Sequence, residues 1–340
     1  MNDPPRTLDD PRQLRRSFGQ FVVARALWYT KPGQAEFRTE RLPPVAPGEA
    51  RVATEYSAIS RGSERLVALG HVPEGEWQRM RAPFQSGAFS FPVKYGYSAT
   101  GFVTAGPEEL VGRRAFALYP HQDHFQIPAA HLIPIPEPIP SRRAVLAANM
   151  ETALNAHWDA GTTLGDRVLV VGAGIVGLLV AYLARRIAGT EVALTDIDPS
   201  RANEAAALGV PFVNPADIGS DYRIVFHASA SSAGLQTAID ACGFEGRVIE
   251  LSWYGTTPVT VNLGGAFHAR RLTLLSSQVG HVAASHRHRM SHRQRLARAI
   301  DLLDDSALDV LVSGSVRFDE LPNALPRIWA SATLPPVVCY

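Results

Sequence analysis

Cysteine is nearly missing: Cys242 and Cys339 are the only two among 340 residues, far apart and without a pairing pattern. A disulfide framework is thereby excluded, and a reducing compartment is expected. Lysine is equally scarce, with Lys31 and Lys94 alone against a large arginine complement. A Schiff-base mechanism or a Tyr-x-x-x-Lys couple therefore has almost no lysine to draw on. Charge of one sign is not in excess either. The formal net charge is +1 with both signs interspersed, which argues against nucleic acid as a partner. No long hydrophobic run suits a membrane. Val168–Ala184 is uncharged over seventeen residues but carries clustered glycines, whereas a spanning helix wants about 20 apolar residues. Residues 1–20 are polar, rich in Pro and Arg, and lack the apolar core of a signal peptide, so they read as a disordered tail and the protein as cytoplasmic.

What is present is a fingerprint. The apolar run Val168–Val171 leads into Gly172-Ala173-Gly174-Ile175-Val176-Gly177, a helical pattern follows, and Asp196 closes the run Glu191–Thr195 nineteen residues beyond Gly177. Gly172 permits the tight turn, Gly174 lets the backbone approach a pyrophosphate, and Gly177 lets the helix press on the sheet. The helix start offers unpaired N–H groups, at Ile175 and Val176, and a positive dipole end to the phosphates. Strand, helix and distal acid together meet the context that a bare glycine motif needs.

The length suits two domains. From Phe21 to about Pro140, short β patterns punctuated by Pro and Gly (Phe21–Tyr29, Ala50–Ile59, Tyr97–Thr104, Arg114–Tyr119) predict an antiparallel, barrel-like unit. Ile133–Pro140 has Pro at every second position and reads as a connector. Arg142–Trp158 turns helical. Strands and helices then alternate through Arg167–Val171, Gly174–Ile187, Glu191–Thr195, Pro199–Leu208, Ile224–Ala228, Ala233–Cys242, Arg247–Leu251 and Leu272–Ser276, the order of a doubly wound parallel sheet. Beyond Gly280, His281, His286, His288 and His292 lie among arginines that include Arg295. Their spacings fit no closed ligand set, so a solvated helix face is expected, with Leu296, Ile300 and Leu303 as its apolar stripe. Leu308–Val316 and Pro335–Cys339 read as strands that rejoin the first unit.

This order, with the landmarks Tyr56–Glu64, Lys94–Gly101, Glu151-Thr152-Ala153 and the fingerprint, resembles the medium-chain dehydrogenase/reductase superfamily from about Phe21 to Tyr340. The resemblance implies an α/β fold: a GroES-like β-barrel domain at 21–145, rejoined by 285–340, and a Rossmann doubly wound domain at 146–284, with the active site in the cleft between them. Zinc members carry a cysteine at the place of Ser60, Gly-His-Glu at Gly96-Tyr97-Ser98, and a further ligand near Ala147–Asn149. Serines and a tyrosine do not supply a catalytic zinc site, so no zinc and no metal ligand is expected. The stretch Ser57–Glu64 also looks like its counterpart in bacteriochlorophyllide a dehydrogenases, members that oxidise a hydroxyethyl side chain using NAD.

The chemistry then expected is hydride transfer between an alcohol and a carbonyl, a small molecule being the substrate. Asp196 accepts both ribose hydroxyls of NAD and repels the extra phosphate of NADP, so NAD is favoured. By resemblance, Arg201 lies on the adenosine ribose and Arg61 near the pyrophosphate. Tyr97 leads as the proton-transfer group, with Ser60, Glu64 and Tyr95 next, and His121 with His124 a further relay. The same tyrosine and serine equally serve as filling for a lost metal site. The backbones after His227, Ser252 and Ser276 are expected to line the nicotinamide, and Trp253 and Tyr254 to wall a flat pocket or to belong to the domain interface. Alternatives are a quinone or enoyl C=C reductase, against which Asp196 counts, and a non-catalytic nucleotide-binding protein. Relatives imply a homodimer or homotetramer.

Overall fold

A computed structural model describes residues 21–340. The tail expected at 1–20 lies outside the described residues. The first part of the chain supplies β1 (Val22–Lys31), β2 (Gln34–Leu42), β3 (Glu49–Ala58), β4 (Ser86–Gly87), β5 (Val93–Lys94), β6 (Ala99–Ala105), β7 (Arg114–Ala117), β8 (His124–Pro128) and β9 (Ile133–Pro134). Small, Pro-broken strands of this kind cannot each cover a wide core, so they pack as two antiparallel sheets. One runs β2-β1-β5-β4. The other is built on β3, which pairs with both β6 and β8, and continues through β7 to β9. An isolated bridge between Ala26 and Gln122 ties the two sheets.

The second part carries β10 (Arg167–Val171), β11 (Glu191–Thr195), β12 (Tyr222–His227), β13 (Cys242–Glu250) and β14 (Thr273–Ser276). All pair in parallel, in the order β11-β10-β12-β13-β14. The near-continuous apolar content of β10, β11 and β12 is what strands covered on both faces require, whereas β14 at the edge is exposed. The helix Ile175–Ala184 lies almost wholly in the core, as does much of Ala147–Ala160. Because the chain leaves β10 for β11 on one side and returns to β12 on the other, a crevice opens at the carboxyl ends of these strands.

Two late strands, β15 (Ser315–Arg317) and β16 (Val337–Cys339), extend the sheet built on β3, β16 running antiparallel to β3. Several boundaries differ from those the sequence predicts. The helical stretch at 142–158 is two helices, Ser141–Ala144 and Ala147–Ala160, because the turn between them tightens to an i to i−3 bond from Leu146 N–H to Arg143 O. Leu308–Val316 is mostly not strand: Asp305 caps the Ala307 N–H and starts a 3-10 turn over Ser306–Val312 that buries Leu308, Leu311 and Val312. The Pro-rich connector does contribute an edge, with Pro134 opposite Ala115, where no N–H is demanded of it. Among the described residues no helix is long and apolar enough to cross a membrane.

Candidate functional site

The glycine turn is as tight as its sequence demands. Gly172 has φ +107° and donates its N–H to Thr195 O at 2.8 Å. A Cβ on Gly177 would stand 1.8 Å from Gly172 O, whereas one on Gly174 would meet nothing within 4 Å. Gly177 is therefore a packing glycine, and Gly174 faces open space. Gly174 is also the N-cap of the helix that starts at Ile175, and no side chain caps that end. Ile175 and Val176 are half-exposed there and Gly177 is buried. Uncapped N–H groups beside an open glycine form a cradle that fits a pyrophosphate.

Asp196 leans over this turn. Its Oδ2 accepts the Ala173 N–H at 2.7 Å and its Oδ1 the Asp198 N–H at 2.9 Å, which fixes the carboxylate while leaving lone pairs outward. The two arginines expected nearby have protein partners. Arg201 is buried, pairs with Glu204 at 3.1 Å and Asp198 at 3.7 Å, and donates to Ala332 O. Arg61 Nη1 donates to Ser331 O at 2.6 Å and Thr333 O at 2.7 Å. Burial first, and then repulsion from Arg201 and Arg65, lowers the Arg61 pKa.

In the first unit the three expected side chains meet. Ser60 follows β3, Glu64 sits in the short helix Ser63–Ala68, and Tyr97 lies between β5 and β6. Tyr97 Oη donates to Ser60 Oγ. Glu64, closed off from solvent, accepts the Ser60 N–H at 3.2 Å through Oε2 and the Tyr29 hydroxyl at 2.6 Å through Oε1. His121 Nε2 stands 3.0 Å from the same Oε1, and its Nδ1 lies 2.6 Å from Ser57 Oγ, which in turn reaches Tyr340 Oη at 2.9 Å. Tyr95 meets Tyr97 edge-on at 5.9 Å. Burial raises the Tyr97 pKa, with hydrogen bonds to Ser60 and Ser63 opposing, so the phenol stays neutral near pH 7. His124 does not join His121: it is partly exposed and faces Asp123 instead.

Catalytic zinc takes three Cys, His or carboxylate donors. Here Ser60 is bonded by Tyr97, Ser98 Oγ donates to Val145 O, and Glu151 pairs with Arg295 at 3.0 Å. Among the described residues no three His, Cys, Asp or Glu side chains converge on a common point. The late histidines disperse as well. His286 stacks on Trp158 at 4.1 Å and His292 Nε2 lies 3.0 Å from Gly280 O. Arg295 corrects the solvated-face expectation: it is 1% exposed and bonds Glu151, Asn155, Val279 O and His281 O, anchoring the loop after β14 to the helix Ala147–Ala160.

Trp253 packs against the core of the first unit, and a Cβ on Gly255 would lie 2.3 Å from His71 O, so this loop is a domain contact. The sequence predicts backbone at the ends of β12 and β13, with Trp253 and Tyr254 as a pocket wall or domain interface. The side chains His227, Ser229, Glu250 and Tyr254 in fact form one hydrogen-bonded cluster there. Polar residues ending adjacent apolar parallel strands were the available signal.

No family model matches the sequence. It is 24% identical over 217 residues to an uncharacterized zinc-type alcohol dehydrogenase-like protein of Haemophilus influenzae, covering 59% of each chain. It is 28% identical over 228 residues to the 2-desacetyl-2-hydroxyethyl bacteriochlorophyllide A dehydrogenase of Rhodobacter capsulatus, covering 65% of this chain and 70% of that one. A short chain alcohol dehydrogenase of E. coli CFT073, complexed with NADH, superposes with TM-score 0.72 at 17% identity over 94% of this chain and 99% of its own. These relatives and structure neighbours are alcohol dehydrogenase-like proteins of the medium-chain dehydrogenase/reductase superfamily, and the chain shares their fold. Its match spans about six-tenths of the first of these relatives.

Proposed function

We propose that this chain is a zinc-independent oxidoreductase of the medium-chain dehydrogenase/reductase superfamily that interconverts a small-molecule alcohol and carbonyl by hydride transfer, with NAD preferred over NADP. The observation that carries the coenzyme assignment is the Asp196 carboxylate held over an uncapped helix start beside the open face of Gly174. Gly172, Gly174, Ile175, Val176 and Asp196 hold the coenzyme, and Gly177, expected to join them, contributes by letting the helix pack against the turn. Arg201 braces this wall through Asp198 and Glu204. When bound, nicotinamide accepts or delivers the hydride.

The proton is the task of the chain's own residues. A neutral Tyr97 phenol turns its proton from Ser60 Oγ to the carbonyl oxygen as the hydride reaches its carbon, and the Ser60 hydroxyl then donates its own proton in a hydrogen bond to the phenolate left behind. The reverse steps oxidise the alcohol. Glu64 touches neither reactant in this scheme and positions Ser60 through its N–H. The donor chemistry at Ser60, Tyr97 and Ser98 supports a mechanism without zinc.

Calorimetric titration with NAD and NADP, together with metal analysis of the same sample, tests the proposal. Tighter binding of NAD with no stoichiometric metal is expected. A stoichiometric zinc bound in the cleft, or no binding of either coenzyme, overturns it.

A further inference from the structure

Across the glycine turn from Asp196, the ends of β12 and β13 carry a set of side chains that the hydride-transfer scheme leaves unused. His227 closes β12 and is 0% exposed. Its Nδ1 lies 2.8 Å from Glu250 Oε2, and its Nε2 lies 2.7 Å from Ser229 Oγ. Glu250 is held in turn by the Ser252 N–H at 2.7 Å and the Tyr254 hydroxyl at 2.9 Å. A carboxylate only accepts, so a neutral imidazole places its proton on Nδ1 and leaves Nε2 to accept the Ser229 hydroxyl. Ser229 Oγ, half-exposed, is then oriented as an acceptor. Ser231 Oγ lies 3.0 Å from it on the other side.

The surrounding backbone is shaped to this hydroxyl. A Cβ on Gly234 would stand 2.1 Å from Ser229 Oγ and 3.0 Å from His227 Nε2. Ala230, next to Ser229, takes the left-handed conformation at φ 53°, which a residue with a Cβ adopts at some cost. On its other side Ser229 abuts the fingerprint, since a Cβ on Gly172 would lie 2.7 Å from Ser229 N. A buried imidazole–carboxylate pair adds little net stability compared with apolar residues of the same size, but it does fix a rotamer and a tautomer.

Strand order supplies the ligand. β11, with Asp196 beyond its end, flanks β10 on one side, and β12, with Ser229 beyond its end, flanks it on the other. A dinucleotide with one ribose at Asp196 and its pyrophosphate on the helix at Ile175 carries its second ribose toward β12. Building on the coenzyme assignment above, we propose that Ser229 Oγ accepts a hydrogen bond from a hydroxyl of that second ribose. His227 and Glu250 are positioning residues that hold it in place.

The test compares binding of NADH, ADP-ribose and ADP by calorimetry, because ADP lacks the second ribose. Ser229→Ala is expected to weaken NADH and ADP-ribose about fivefold, the worth of one neutral hydrogen bond, and to leave ADP unchanged. Gly234→Ala is expected to do the same by displacing the hydroxyl. Glu250→Leu is expected to match them, while Glu250→Gln, which can still accept from Nδ1–H, retains most of the affinity. A merely structural role would lower ADP affinity along with the others, and that result overturns the proposal. So does NADH binding that is unchanged in both Ser229→Ala and Gly234→Ala. Failure of the unaltered protein to bind any of the three ligands overturns the coenzyme assignment as well.

Discussion

The Glu64 carboxylate and the His121 imidazole lie 3.0 Å apart with both side chains 1% exposed, 57 positions apart in sequence. Removing the acid strands three donors at once: the imidazole, the Tyr29 hydroxyl and the Ser60 N–H. Glu64→Ala is expected to lower the unfolding free energy by about 3 kcal/mol, with Glu64→Gln losing less because an amide oxygen can still accept. Urea melts of the two variants check this. Equal stability in Glu64→Ala and the unaltered protein would contradict the network.

Tyr97→Phe keeps the ring and its edge contact with Tyr95 but loses the hydroxyl on Ser60. Turnover of any accepted alcohol or carbonyl should fall about a hundredfold or more. Coenzyme affinity should hold, since the Tyr97 hydroxyl is bonded to Ser60 of the first unit. Steady-state kinetics beside a binding titration separate the two effects; retained turnover would remove Tyr97 from the mechanism.

The fingerprint glycines should separate into two classes. Gly174→Ala places a methyl in open space, so the melting temperature should stay where it is while coenzyme affinity drops. Gly177→Ala drives a methyl against Gly172 O and should cost both. Thermal melts with and without coenzyme distinguish the classes, and equal destabilisation by both changes would refute the assignment.

Asp196→Ser removes the carboxylate anchored on the Ala173 and Asp198 amides. NAD should bind more weakly and NADP no worse, narrowing the preference. An unaltered NAD-to-NADP affinity ratio would take away the argument for NAD.

His157 supplies a pH dependence. It is buried between Thr162 Oγ1 at 3.0 Å and Val180 O at 2.9 Å, and burial pushes its pKa down to about 4. The folded ring resists protonation that the unfolded ring accepts near pH 6.5. Its contribution is thus intact above pH 6.5 and is lost as the pH falls toward 4, by roughly 3 kcal/mol in all. Urea midpoints at pH 7, 5.5 and 4.5 should fall in that order, and less steeply in His157→Gln.

Much of this was legible because it is local. The strand, the glycine turn and the helix occupy one short stretch, so Gly172, Gly174 and Gly177 carry their roles in their spacing. The meeting of Ser60 with Tyr97 was legible only through the superfamily landmarks, since 37 positions separate them. The burial of Arg295 is not legible in the sequence, for a physical reason. Arginines on an amphipathic helix usually face water, and nothing local announces that Glu151, 144 positions earlier, waits as its partner. The His227–Glu250 pairing was hidden likewise, since register between parallel strands decides it.

Arg61 from one lobe and Arg201 from the other grip neighbouring carbonyls of the single stretch Ser331–Thr333. That stretch works as a shared hasp: the mouth between the lobes can gape only if the hasp slides with one of them or lets go of the other.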